Sequence, residues 1–349
     1  MKARHTITLA LAGLALAAAT LGACKGSKGG KELPGEINIG YLRLPNDELI
    51  AIQLGYIQQY CDSLGVKLNL RVVDSGVEAN QAFASASLDF ASMGHTNGVV
   101  SLVKGLDTEL VWIHQLLGKA EGLVVRNGKG IHSVRDLKGR TVATIFSSTS
   151  HYMLMTLLKA EGIEKDVQVI DMLTQNIVAA WKRGDIDAAY TLEPGLAECV
   201  ADNGRVLVSS EDMVRRGYIT ANIGLARKGF ARQYPDVMAG ILAAIERGNA
   251  LYQADQKAAI DACAKNLGLS HEETKKQTDG SIWLTARDVT ADSLMGDGTR
   301  PGQFVEVMKA TADFLHAQRS IERTPSKEEI ARFINPEYAV KARKAVYGK

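Results

Sequence analysis

Three short turns hold the residues of this chain best suited to grip an anion: Asp74-Ser75-Gly76, Gly94-His95-Thr96-Asn97 and Ser147-Ser148-Thr149-Ser150-His151. Each follows a strand-like run and leads into a helix-like one. The first N–H groups of a helix lack an acceptor within it and stand at the positive end of its macrodipole. A helix start can therefore hold an oxyanion without any full positive charge. Taken singly, Ser75, Thr96 and Ser148 are explained as ordinary helix caps. The four consecutive hydroxyls from Ser147 to Ser150 exceed what one cap needs, and that excess points to a site.

Other reactive residues fit catalysis less well. His95 and His151 could act as bases, but the chain lacks a Gly-x-Ser-x-Gly elbow, and no Cys precedes a suitable partner motif. A packing or ligand-contacting role suits both histidines better. Asp185 and Asp187 lie two apart on a turn entering a strand and read as turn formers. Glu193 ends a strand on the crevice side and Glu121 begins one near the crossing between halves. Either could meet a ligand ammonium, or serve as a surface or hinge acid. Cys61, Cys199 and Cys263 show no metal or redox spacing, so buried thiols are expected, with at most one disulfide. No metal and no cofactor is expected.

The elements that must position these turns alternate. Glu36 to Tyr41 reads as a strand and Glu48 to Leu64 as a helix. Val66 to Val73, Asp89 to Met93, Glu109 to Gln115, Gly122 to Arg126, Thr141 to Ile145, Val167 to Met172, Ala188 to Thr191, Arg205 to Ser209 and Ile219 to Ala226 continue as strands, with helices such as Val77 to Ser87 and Ser148 to Glu161 between them. From Arg227 the pattern turns helical, with long stretches at Pro235 to Leu267, Pro301 to Arg319 and Lys327 to Phe333. The expected class is α/β, with mixed, mostly parallel sheets and a helical C-terminal arm. In such sheets the ligand crevice lies beyond the carboxyl ends of the strands, where the three turns fall.

The N-terminus reads as an export signal. Lys2 and Arg4 precede an apolar run from Ile7 to Leu21, and its length of about 15 residues falls short of the roughly 20 that span a bilayer. Leu21-Gly22-Ala23-Cys24 is similar to the bacterial lipobox, which implies cleavage over 1–23 and a lipid anchor on Cys24. Residues 24–35 then form a flexible polar tether. The formal net charge is +2 and falls close to zero without the leader, so no nucleic-acid surface is expected. The remainder exceeds what one core organises, and two lobes are expected. The first is assigned to 36–120 plus 222–349 and the second to 121–221.

Longer runs around the turns carry a resemblance. Asp74-Ser-Gly76, Glu121-Gly-Leu-Val-Val125, Asp136-Leu-Lys-Gly-Arg-Thr-Val-Ala143, Ser148-Thr-Ser-His-Tyr152 and Ala179-Ala-Trp-Lys-Arg-Gly-Asp-Ile-Asp187 resemble the periplasmic taurine and aliphatic-sulfonate binding proteins of ATP-binding-cassette importers. The resemblance runs from Ile37 to Gln318 and implies a two-lobed type II solute-binding fold, a small sulfonate ligand, a permease partner and no catalysis. A monomer is expected. The resemblance places the sulfonate on Gly94, His95, Thr96, Asn97, Ser148 and Thr149, with Ser75 on the first turn. Taurine binders of this type set acids against the ligand ammonium at two positions that hold Asn46 and Asn222 here. Glu193 could restore one negative charge. Binding of nitrate, a phosphonate or a pyrimidine precursor of thiamine remains open, as do an enzyme on the same scaffold using His151 or Cys199 and a lipid-anchored sensor or adhesin.

Overall fold

The computed structural model describes residues 32–348; the expected leader, the lipidation site at Cys24 and most of the tether lie outside them. Strands β1 (Glu36–Tyr41), β2 (Lys67–Val72), β3 (Phe90–Gly94) and β4 (Thr108–Leu116) alternate with helices α1 (Asp47–Gln53), α2 (Tyr56–Leu64), α3 (Gly76–Ala84) and α4 (His95–Val103). Strands β5 (Glu121–Arg126), β6 (Thr141–Thr144), β7 (Gln168–Asp171), β8 (Ala188–Leu192) and β9 (Gly204–Ser209) follow, with α5 (Thr149–Ala160), α6 (Thr174–Arg183), α7 (Gly195–Ala201) and α8 (Ser210–Val214) among them. β10 (Ala221–Arg227) then leads to α9 (Lys228–Gln233), α10 (Pro235–Ala254), α11 (Gln256–Leu267), α12 (His271–Asp279), a short β11 (Ile282–Trp283), α13 (Ala286–Val289), α14 (Phe304–Ala317), α15 (Lys327–Phe333) and α16 (Glu337–Tyr347).

Two sheets result, one in the order β11-β4-β10-β3-β1-β2 and the other in the order β7-β6-β8-β5-β9. Each has a parallel portion, β2-β1-β3 or β7-β6-β8. Each is continued by a strand running the other way, β10 in the first and β5 in the second. Both sheets are thus mixed, as expected, and most strands of each run one way. β5 and β10 each enter from the opposite sheet, so no crossover within a single sheet sets them parallel to their neighbours.

Apolar residues on alternate strand positions bury both sheets. Ile37, Ile39, Phe90 and Trp112 pack with Phe304, Met308 and Phe333 of the C-terminal arm around the first sheet. Leu123 and Tyr190 on one face, and Val124 and Trp181 on the other, build the cores of the second. α14 also reaches the second group, with the Phe314 and Tyr152 rings 4.9 Å apart.

The helix expected over Glu48 to Leu64 is two, because Gly55 takes a left-handed φ of 72° that breaks the hydrogen-bond ladder. The long stretch from Pro235 likewise divides at Asp255, which leaves helical geometry and caps α11 by accepting from the Ala258 N–H. Cys61, Cys199 and Cys263 are free and buried. Among the described residues no helix is long and apolar enough to cross a membrane.

Candidate functional site

The three turns converge. Ser75 and Gly76, Gly94 and Asn97, and Ser148 and Thr149 line one cavity of about 310 Å³, at the small end of the range for small-molecule sites. α3 and α4 bring their N-termini from the first sheet and α5 brings its own from the second. The Gly76 and Val77 N–H groups of α3, those of His95, Thr96 and Asn97 in α4, and those of Thr149 and Ser150 in α5 find no acceptor among the described residues.

Local chemistry holds each start in place. The Ser75 hydroxyl accepts from the Glu78 N–H at 3.2 Å, while the Glu78 carboxylate takes the Asp74 N–H at 2.8 Å and the Arg71 guanidinium at 2.6 Å. Gly76 cannot carry a side chain, since a Cβ there would lie 2.3 Å from Asn97 Oδ1. Asn80 donates to the Asn97 carbonyl at 2.9 Å and ties α3 to α4. A Cβ on Gly94 would stand 3.0 Å from Thr149 Cγ2, so the two sheets' helix starts nearly touch at this point.

The hydroxyls of α5 have other uses than the sequence suggested. Ser148 accepts from the His151 N–H at 3.2 Å and gives its proton to the Ile145 carbonyl at 2.6 Å. Thr149 and Ser150 both donate to Glu121, at 2.5 and 2.9 Å. Cap and carboxylate account for the Ser148, Thr149 and Ser150 hydroxyls, and backbone N–H groups are the donors left there for an anion.

Seven of the ten residues read from sequence line the cavity: Ser75, Gly94, Asn97, Ser148, Thr149, Glu193 and Asn222. The other three do not. Asn46 is buried and caps α1, accepting from the Leu49 N–H at 2.8 Å. His95 has both ring nitrogens engaged, by Thr311 at 2.9 Å and the Ala221 N–H at 3.3 Å. The Thr96 hydroxyl is buried without a partner.

Asn222 presents a buried amide whose two polar atoms have no partner among the described residues. Glu193 accepts from the Ala197 N–H at 2.9 Å, and burial pushes its carboxyl up to about 8. At neutral pH it is therefore largely uncharged and does not repel an anion. Burial lowers His95 and His151 to about 4, leaving both uncharged at pH 7 and weak as bases. Glu121 lies behind Thr149 and outside the cavity lining.

Sequence reasoning missed several lining residues. Arg43 lines the cavity while donating to the Asn266 carbonyl at 2.9 Å, and Thr174 and Gln175 begin α6 beside it. Leu44, Val77, Phe146, Leu173, Leu267 and Leu269 give the cavity apolar walls. Phe146 is 38% exposed and stacks on His151 with centroids 4.6 Å apart. No pattern in the sequence ties Leu267, at the end of α11, and Leu269, just beyond it, to a crevice formed by distant turns.

Two mixed α/β sheets with a cavity lined by elements of both make up the two-lobed, type II fold of the periplasmic binding proteins. The alkanesulfonate-binding protein of Xanthomonas axonopodis pv. citri, solved with bound MOPS, shares this fold with a TM-score of 0.71 at 20% identity, over 87% of this chain and 99% of that one. The periplasmic aliphatic sulphonate binding protein of Escherichia coli shares it with a TM-score of 0.69 at 22% identity, over 86% and 98%. The chain belongs to the NMT1/THI5-like family, which it matches over residues 48–259. The taurine-binding periplasmic protein of Escherichia coli (strain K12) is 30% identical to it over 264 residues, covering 74% of this chain and 79% of that protein.

Proposed function

We propose that this chain is the solute-binding component of an ATP-binding-cassette importer, capturing taurine or a related small sulfonate between closing lobes and passing it unaltered to a permease. One observation carries the reading: the starts of α3, α4 and α5, with unpaired N–H groups, meet at a single cavity. A sulfonate spreads one negative charge over three oxygens, which suits several weak donors from different directions. The lobes are residues 36–120 plus 222–349 and residues 121–221, each built on one of the two sheets.

The apolar walls, the amide at Asn222 and a neutral Glu193 favour a tail without a cationic amine. An unpaired ammonium loses several kcal/mol on burial. Ahead of the folded body we propose a leader over 1–23 and an acylated Cys24, with 24–35 as the tether of a monomer to the membrane surface.

The test is a panel of ethanesulfonate, propanesulfonate, taurine, nitrate and a phosphonate, followed by thermal shift and calorimetry. Sulfonates are expected to raise the melting temperature with saturation, and mass spectrometry is expected to recover them intact. Stabilisation by none of the sulfonates refutes the ligand, and turnover refutes the binding-only role. Release of Cys24→Ala protein from membranes checks the anchor.

A further inference from the structure

Behind the α5 start lies a carboxylate that no cation answers. Glu121, fully buried at the head of β5, is held by hydroxyls: Thr149 at 2.5 Å and Ser150 at 2.9 Å on Oε1, and Ser210 at 2.7 Å on Oε2. The Thr220 hydroxyl lies beside it. The Ser210 hydroxyl is also 3.0 Å from the Tyr190 hydroxyl, with either able to donate. The titratable groups of the surrounding elements bring no positive charge to it. Tyr190 on β8 is neutral, Asp212 on α8 is occupied with the Ser209 cap, and Lys119 faces Glu211 at 3.4 Å on the surface.

Thr149 faces both ways, lining the cavity while its proton goes to Glu121. While Glu121 is ionised, Thr149 has no proton to offer a ligand, and a negative charge stands behind the seat. We propose that the oxyanion binds together with a proton on Glu121, making Glu121 a positioning residue that couples capture to pH. This rests on the reading of the α5 start as an anion seat. The proton fits Oε2, which then donates to Ser210 while Ser210 donates to Tyr190. Ser150 alone satisfies Oε1, and Thr149 is free to turn its O–H to the ligand. Burial already holds this carboxyl above the usual range, so protonating it takes little. At about 5 Å and an effective dielectric near 20, two like charges disfavour each other by a few hundredfold in affinity. That is the largest linkage available here.

The test is calorimetry of ethanesulfonate binding to the mature protein from pH 5 to 9, in buffers of unlike ionisation heat to count protons. Expected are uptake approaching one proton in the upper range and an affinity that weakens there by up to tenfold per pH unit. Because Glu193 lines the same cavity and is itself raised to about 8, the comparison is made in Glu193→Gln protein, which is expected to keep the slope and the uptake. Adding Glu121→Gln, uncharged and of the same shape, is expected to leave a flat profile and no uptake. A flat Glu193→Gln profile without uptake overturns the proposal, as does a slope that survives in the double variant. If the double variant does not fold, persistence of the uptake in Glu193→Gln supports the proposal and its loss overturns it. Absence of sulfonate binding at every pH refutes the ligand reading instead.

Discussion

Gly94→Val tests whether capture depends on the near-contact of the two helix starts. Gly94 has φ −65° and ψ 144°, a backbone that valine adopts without strain, so the substitution isolates the space in front of the residue. Its Cβ would lie 3.0 Å from Thr149 Cγ2, whereas carbon atoms rest about 3.5–4.0 Å apart. The halves must part by roughly 0.5–1 Å there, and by more for the γ-methyls. If closure is needed to place both the α4 and α5 donors on one anion, two charge-assisted hydrogen bonds are lost or stretched. At about 1.5–3 kcal/mol each, that is a loss of about 3–6 kcal/mol, or at least a hundredfold in Kd. Calorimetry with the best sulfonate measures the loss. Urea melts of the ligand-free protein, expected to move by less than about 1 kcal/mol, show that the fold survives. Wild-type affinity in a folded Gly94→Val protein would refute the dependence on closure.

Two further perturbations address the acids and amides of the cavity. Glu193 is raised to about 8 by burial, so its folded form holds a proton that the unfolded chain releases. Its contribution to stability is full below the unfolded value near 4.5 and is lost as pH climbs to about 8. Glu193→Gln is therefore expected to match wild type in melts at pH 4.5 and to be more stable at pH 8 by up to about 4 kcal/mol; equal pH slopes would contradict this. Asn222→Asp replaces an unpartnered amide on the cavity wall with a carboxylate. It is expected to raise the affinity ratio of taurine to ethanesulfonate about tenfold or more in paired calorimetric titrations, and an unchanged ratio would remove Asn222 from the ligand's tail.

What was legible in the sequence follows period and turn chemistry. Strand alternation and helix spacing placed β1 to β10 to within a few residues, and the Asp-Ser-Gly turn lines the cavity together with Gly94 and Asn97 but not His95 or Thr96. The direction of hydroxyl protons was not legible. Ser148 to Ser150 gave the same signal whether they faced a ligand or Glu121, which lies 28 residues from Thr149. Asn46 was read by position alone, and its amide oxygen is spent on the Leu49 N–H one turn further along. The order of strands within each sheet escaped because it depends on how the chain returns between halves, and no local pattern records that.

The choice of donors bears on release as much as on capture. Apart from Arg43, the groups around the cavity that can donate to an anion are uncharged N–H and O–H groups; of the acids that line it, Glu193 is held largely neutral by burial and Glu198 is paired with Lys182 at 2.8 Å. Each helix start supplies roughly 0.3–1 kcal/mol through its dipole and a few N–H groups that the fold has already oriented. None of the three is a strong site alone. On the proposed reading, α3 and α4 hold the ligand from one sheet and α5 from the other, so tight binding exists only while both face the same anion. Separating the lobes divides the donors without breaking a full ion pair in low dielectric, which would cost several kcal/mol more. A cleft built on paired charges would hold its ligand through that motion, whereas shared neutral donors let opening alone discharge it.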